Sequence, residues 1–175
     1  MKELIVIDDF LSEEDHHKIF TTTVKAPYMP IDDSITDEFP DPLSGQSGYN
    51  AKEDIDGETT QILLEQAMMH NELIPIVSTK YMLTIFNKYD PKTPTYFHWD
   101  TKSPESGWTL IYFPHTHEYN FKMGGETQIL VDNQIVGVLP LPNRLMAFDG
   151  SLWHKGTSFT HDDYRYSVAI QFNDG

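Results

Sequence analysis

Three residues have the types and spacing to hold an open-sided metal ion. They are His98 and Asp100 in Phe97-His98-Trp99-Asp100, and His154 in Leu152-Trp153-His154-Lys155. Two imidazoles and one carboxylate bind non-haem Fe(II) on one face and leave the other face free for reactants. Eleven positions after His154 stands Arg165, one of only two arginines in the chain. A guanidinium is planar, permanently charged and able to grip a carboxylate through two parallel hydrogen bonds. A site whose co-substrate carries a distal carboxylate needs such a group. The pattern points to oxygen chemistry at iron.

A strand is the natural support for this pattern. Residues i and i+2 of a strand face the same way, so His98 and Asp100 can aim at one ion while Trp99 packs in the opposite direction. Spacing alone is weak, because a second triplet, His161-Asp162-Asp163, lies in a polar stretch that reads as a turn. The apolar context of the first copy and the distant third ligand favour His98 and Asp100. His115-Thr116-His117 follows Pro114 and reads as a solvated connection, and His16-His17 as a surface pair on a helix. The aromatics around the motifs, including Trp99, Trp108 and Trp153, read mostly as core.

Composition bounds the class. A chain of 175 residues with 39% hydrophobic and 13% aromatic content can bury a real core and is expected to be one domain, 1–175. There is no cysteine, so any metal falls to His, Asp and Glu, and a reducing, cytoplasmic setting is the natural expectation. The stretch Met1–Asp8 turns acidic after one short apolar run and does not read as a secretory leader. No apolar run approaches membrane-spanning length. A net charge of −15 repels phosphate backbones and anionic lipid, so nucleic acid and membrane partners are not expected.

The positioning elements fall into two parts. Up to about residue 80 the chain reads as support: a strand at Leu4–Ile7, a helix capped by Ser12 and running to about Phe20, and a helix over Glu58–Leu73 ended by Pro75. Between the helices, Pro27–Gly48 is rich in Pro, Gly, Asp and Ser, and its length predicts a lid. From residue 81 the chain reads as short strands: Tyr81–Tyr89, Thr95–His98, Trp108–Phe113, Thr127–Val131, Gln134–Leu139, Leu145–Asp149 and Arg165–Phe172. Val131-Asp132-Asn133-Gln134 reads as a hairpin turn. Many short strands separated by turn signals predict a mainly β sandwich or barrel.

The motifs occur in a familiar order. Lys88-Tyr89-Asp90-Pro91 leads to Phe97-His98-Trp99-Asp100. Thr109–Phe113 precedes Gly124-Gly125-Glu126-Thr127, Arg144–Phe148 leads to Trp153-His154, and Arg165-Tyr166-Ser167 closes the series. This resembles the prolyl-4-hydroxylase-like branch of the 2-oxoglutarate/Fe(II) dioxygenases over roughly residues 81–172. The resemblance implies a double-stranded β-helix (jelly-roll, cupin-like) core with N-terminal helices packed on one sheet. It implies that His98, Asp100 and His154 hold Fe(II). It places Arg165 on the distal carboxylate of 2-oxoglutarate, with Tyr89 or Ser167 adding a hydrogen bond. It makes Gly124 and Gly125 a tight structural entry into a core strand and gives Glu126 no catalytic duty. The implied reaction is hydroxylation of an unactivated C–H bond, a peptidyl proline first among the candidates, with 2-oxoglutarate and O2 consumed and ascorbate as accessory reductant. The stretch Pro114–Lys122 is longer and more aromatic than the family pattern, which bears on substrate rather than chemistry. Two rival readings remain: hydroxylation of a free amino acid or other small metabolite, and a non-catalytic jelly-roll module with a structural metal. Halogenation is disfavoured, because Asp100 fills the position a halide would need.

Overall fold

The computed structural model describes residues 4–30, 48–100 and 107–173. Strand β1 (Leu4–Ile7) leads to α1 (Glu13–Lys25), β2 (Met29–Pro30), β3 (Gly48–Glu53), α2 (Glu58–Ala67) and α3 (Ile74–Val77). Then come β4 (Lys80–Tyr89), β5 (Trp108–Phe113), β6 (Thr127–Val131), β7 (Gln134–Val138), β8 (Arg144–Asp149), β9 (His154–Gly156) and β10 (Arg165–Asn173). Seven strands form an antiparallel sheet in the order β1-β8-β5-β10-β4-β3-β2, and three form a smaller sheet in the order β7-β6-β9. This is the expected jelly-roll. Most of the expected lid, residues 31–47, lies outside the described residues.

Two apolar layers sandwich the large sheet. One side packs Phe86, Leu110, Tyr112, Val168 and Ile170 against Ile19 of α1 and Leu63 and Ala67 of α2. The other side packs Ile111, Phe113 and Ala169 against Ile129 of the small sheet. The alternation of strand side chains therefore assigns even numbers on β4, β5 and β10 to the helices and odd numbers to the space between the sheets. The site residues on these strands are odd.

Local chemistry explains the ends of the elements, and several expectations need correction. The Ser12 side chain accepts the Asp15 amide at 3.2 Å, as a helix N-cap should. Helix α1 runs past Phe20 to Lys25 because Thr23 continues the buried stripe of His16 and Ile19. It stops where Ala26, preceding Pro27, swings to ψ 149°. Helix α2 ends at Ala67 rather than Leu73, and the chain turns through His70, which stacks on Phe10 at 5.2 Å. Pro75 sits in the first turn of α3 instead of ending a helix, since a first-turn residue has no intrahelical N–H bond to lose. The hairpin is as read: Asp132 and Asn133 both have positive φ, 49° and 61°, joining β6 to β7. Thr95–His98 is not a strand; it contributes one bridge, at His98.

Candidate metal and co-substrate site

His154 opens β9, in register with Ile129 of β6. A turn closed by the Leu152 amide on the Asp149 carbonyl, 3.1 Å, delivers it. Asp149 Oδ1 tightens that turn by accepting the Ser151 amide and hydroxyl. His98 is held against His154 by a lone antiparallel bridge. The Asp100 amide donates to Gly150 O at 2.9 Å, so all three residues are pinned to the same turn region.

Their side chains converge. His98 Nε2 lies 3.7 Å from Asp100 Oδ1, and His154 Nε2 lies 3.4 Å from Asp100 Oδ2. Among the described residues this is the one group whose three donor atoms lie within 4.8 Å of one another. His98 Nδ1 donates to Tyr96 O at 3.2 Å and His154 Nδ1 to Leu152 O at 2.9 Å. A carbonyl can only accept, so each Nδ1 carries a proton, which leaves each Nε2, the nitrogen facing Asp100, as the atom available to a metal. Thr109 Oγ1 donates to Asp100 Oδ2 at 2.5 Å.

The electrostatics suit a cation. Burial, then the neighbouring His154, lowers the His98 pKa and so favours the uncharged ring. Burial pushes the Asp100 carboxyl up, but the neighbouring His154 and His98 rings and the Thr109 hydroxyl together hold it below the usual value. A divalent metal binds imidazole nitrogens and an ionised carboxylate, the donor types gathered here. The donor set, with no thiolate and with one open side, fits Fe(II).

Behind the three donors lies a cavity of ≈ 100 Å³. The large sheet contributes Ile85, Asn87 and Tyr89 from β4, Thr109 and Ile111 from β5, and Arg165, Ser167, Ala169 and Gln171 from β10. The small sheet contributes Thr127, His154 and Gly156. Register explains the grouping, because Arg165 pairs with Tyr89, Ser167 with Asn87 and Ala169 with Ile85.

Arg165 is 1% exposed. Its Nε donates to Gly125 O at 2.7 Å and its Nη2 to Thr127 Oγ1 at 2.9 Å. The guanidinium carbon sits 5.5 Å from the centre of the Tyr89 ring and 5.7 Å from that of Phe113. Among the described residues no carboxylate lies within 4.0 Å of it, and Nη1 has no protein acceptor. The Glu126 carboxylate favours the charged guanidinium only from beyond that distance, and burial weighs against the charge more heavily. The site therefore has room and need for an anion, which fits the carboxylate of 2-oxoglutarate. Gly124 and Gly125 have φ of +68° and +78°, a turn that presents the Gly125 carbonyl to Arg165.

Tyr89 and Ser167 line this cavity as well. The sequence reading did not single out Thr109, Thr127, Asn87 or Gly156. Period two would have found Asn87, two residues before Tyr89, and Gly156, two after His154. Thr109 and Thr127 are identified only by their tertiary hydrogen bonds.

Two of the other histidines, His16 and His115, differ from expectation. His16 is buried rather than on the surface; its ring bonds the Tyr112 hydroxyl and donates to His115 O at 2.9 Å. His115 is buried rather than solvated, and its Nε2 accepts the Tyr166 amide at 2.9 Å. It flanks β10 without joining the cavity. His161 lies in a bend, as read, with Nε2 3.0 Å from Asp163 Oδ2. Trp99 and Trp153 meet edge to face with ring centres 4.3 Å apart, and Trp153 is 38% exposed rather than core.

No family model and no curated protein matches this sequence. Solved structures do match it. A prolyl-4-hydroxylase from Pseudomonas putida superposes with a TM-score of 0.74 at 14% identity, covering 98% of this chain and 92% of that one. A prolyl hydroxylase from Trichoplax adhaerens, in complex with a hypoxia inducible factor peptide, superposes with a TM-score of 0.71 at 13% identity, covering 99% and 84%. HygX from Streptomyces hygroscopicus, with nickel and 2-oxoglutarate bound, superposes with a TM-score of 0.70 at 8% identity, covering 98% and 82%. At these identities the likeness establishes the fold. The chain has the jelly-roll of the 2-oxoglutarate/Fe(II) oxygenases, prolyl-4-hydroxylases among them.

Proposed function

We propose that residues 1–175 form one Fe(II)- and 2-oxoglutarate-dependent dioxygenase domain that hydroxylates an unactivated C–H bond. The observation that carries this reading is Arg165, a buried guanidinium with no carboxylate within 4.0 Å among the described residues, lining the same cavity as three convergent metal donors. His98 Nε2, His154 Nε2 and Asp100 hold the metal, which supplies the place where O2 is reduced as 2-oxoglutarate is oxidised to succinate and CO2. Arg165 grips the distal carboxylate of 2-oxoglutarate, with Tyr89 and Ser167 beside it. Ile85, Ile111 and Ala169 give the cavity a dry wall on the large sheet. One O2 supplies one oxygen atom to succinate and one to the substrate hydroxyl, so the reaction balances without another oxidant. Ascorbate would be an accessory reductant.

A proline in an extended peptide is the first substrate we assign. It is motivated by the prolyl hydroxylases that share this fold, one of them with a peptide in its structure. Equilibrium dialysis of Fe(II) under anaerobic conditions tests the site. One ion per chain is expected, with loss of binding in His154→Ala and Asp100→Ala and none in His161→Ala. Binding that survives His154→Ala and disappears in His161→Ala would refute this assignment.

A further inference from the structure

Thr109 occupies an unusual place for a hydroxyl. It is 1% exposed, on the face of β5 that carries Ile111 and Phe113 into the space between the sheets. Valine has the same shape and would suit that strand position better. A buried hydroxyl must place its proton on an acceptor, and for Thr109 that acceptor is Asp100 Oδ2 at 2.5 Å. A carboxylate accepting from a hydroxyl forms one of the shorter and stronger hydrogen bonds available to a side chain.

The two carboxylate oxygens each face one imidazole, Oδ1 His98 Nε2 at 3.7 Å and Oδ2 His154 Nε2 at 3.4 Å, but they are not equivalent: only Oδ2 also accepts the Thr109 hydroxyl. We propose that Thr109 is a positioning residue that keeps Asp100 a one-oxygen ligand, through Oδ1, so that the ion retains the open positions its reactants need. A carboxylate that grips with both oxygens takes an extra coordination position. The ion would then lack room for two oxygens of 2-oxoglutarate together with O2. Thr109 acts through Asp100 and touches no reactant. The inference rests on the iron-site reading above and adds to it the control of ligand denticity.

The test compares wild type with Thr109→Val and Thr109→Ser. Each protein is loaded anaerobically with Fe(II) and titrated with 2-oxoglutarate. Three quantities are read: Fe(II) affinity, 2-oxoglutarate affinity, and the visible charge-transfer absorption of the Fe(II)–2-oxoglutarate chelate. Thr109→Val is expected to bind Fe(II) as tightly as wild type or more tightly. Its 2-oxoglutarate affinity is expected to fall about tenfold, as loss of a hydrogen bond to a charged group predicts, with a weakened charge-transfer band. Thr109→Ser, which keeps the hydroxyl, should restore both. A Thr109→Val protein matching wild type in 2-oxoglutarate affinity and band intensity would overturn the proposal. So would a folded Thr109→Ser protein whose 2-oxoglutarate affinity falls about tenfold and whose charge-transfer band weakens relative to wild type, and this comparison with wild type stands even if the valine variant does not fold. Wild-type protein that binds neither Fe(II) nor 2-oxoglutarate would instead overturn the iron-site reading, and this proposal with it.

Discussion

His98 and His154 are joined backbone to backbone: the His98 amide donates to His154 O at 2.9 Å and the His154 amide to His98 O at 2.8 Å. Residues that exchange both bonds in an antiparallel pair carry their side chains on the same face, and here the two ring centres lie 4.4 Å apart. The pairing is a single rung rather than part of a longer ladder. The spacing of the two imidazoles depends on that rung, which a shared metal ion would reinforce. Hydrogen exchange at the His98 and His154 amides should slow several-fold when Ni(II) is added as an inert substitute for Fe(II). An unchanged rate at both amides, with the ion shown to be bound, would separate the rung from the metal.

Arg165 should set the affinity for 2-oxoglutarate while leaving the metal in place. Arg165→Lys keeps the charge and loses the two-pronged grip, so the dissociation constant should rise at least about tenfold. Equal affinity in the lysine variant would remove the guanidinium from co-substrate binding.

Gly156 offers an independent check on the same group. A Cβ there would meet Arg165 Nη1 at 2.7 Å, with no unusual backbone conformation involved. Gly156→Ala should displace the guanidinium and weaken 2-oxoglutarate roughly tenfold, with Fe(II) affinity unchanged. Isothermal titration with each component in turn checks this; a parallel loss of metal would mean that β9 as a whole had moved.

His115 should make the fold acid-sensitive. Burial first, then the charges of His117 and Arg165, push it down to about 3. Between the ordinary imidazole value near 6.5 and about 3, the unfolded chain binds a proton that the folded chain refuses. Stability is therefore full above about 6.5 and is lost as the pH falls, by up to about 1.4 kcal/mol per pH unit for this one group. His115→Gln, which keeps an acceptor for the Tyr166 amide, should flatten the fall in urea midpoint between about pH 7 and pH 4.5. Parallel pH profiles for the two proteins would contradict this.

Elements with strong local signals were readable. Trp108–Phe113 and Thr127–Val131 begin and end where alternation and turn residues place them, and Asp132-Asn133 supplies the positive φ that a tight hairpin requires. The convergence of His98, Asp100 and His154 was legible from residue type, whereas the strand expected to carry His98 and Asp100 is a single bridge at His98. Other features depend on partners far along the chain. β3, Gly48–Glu53, is polar and becomes a strand by pairing with β4. His16 is buried because His115 O, 99 residues away, accepts its proton. Thr109 is indistinguishable from an ordinary strand threonine until Asp100 is seen beside it.

Production of succinate from 2-oxoglutarate tests the central claim most directly. Iron-loaded protein is incubated with 2-oxoglutarate, ascorbate and O2, alone and with proline-containing peptides or free amino acids, against an Asp100→Ala control. The account predicts slow succinate formation without a further substrate, a faster rate with the substrate that becomes hydroxylated, and none from the control. Succinate at the control level in every arm, with Fe(II) bound to the wild-type protein, would contradict it and leave a metal-binding jelly-roll without turnover.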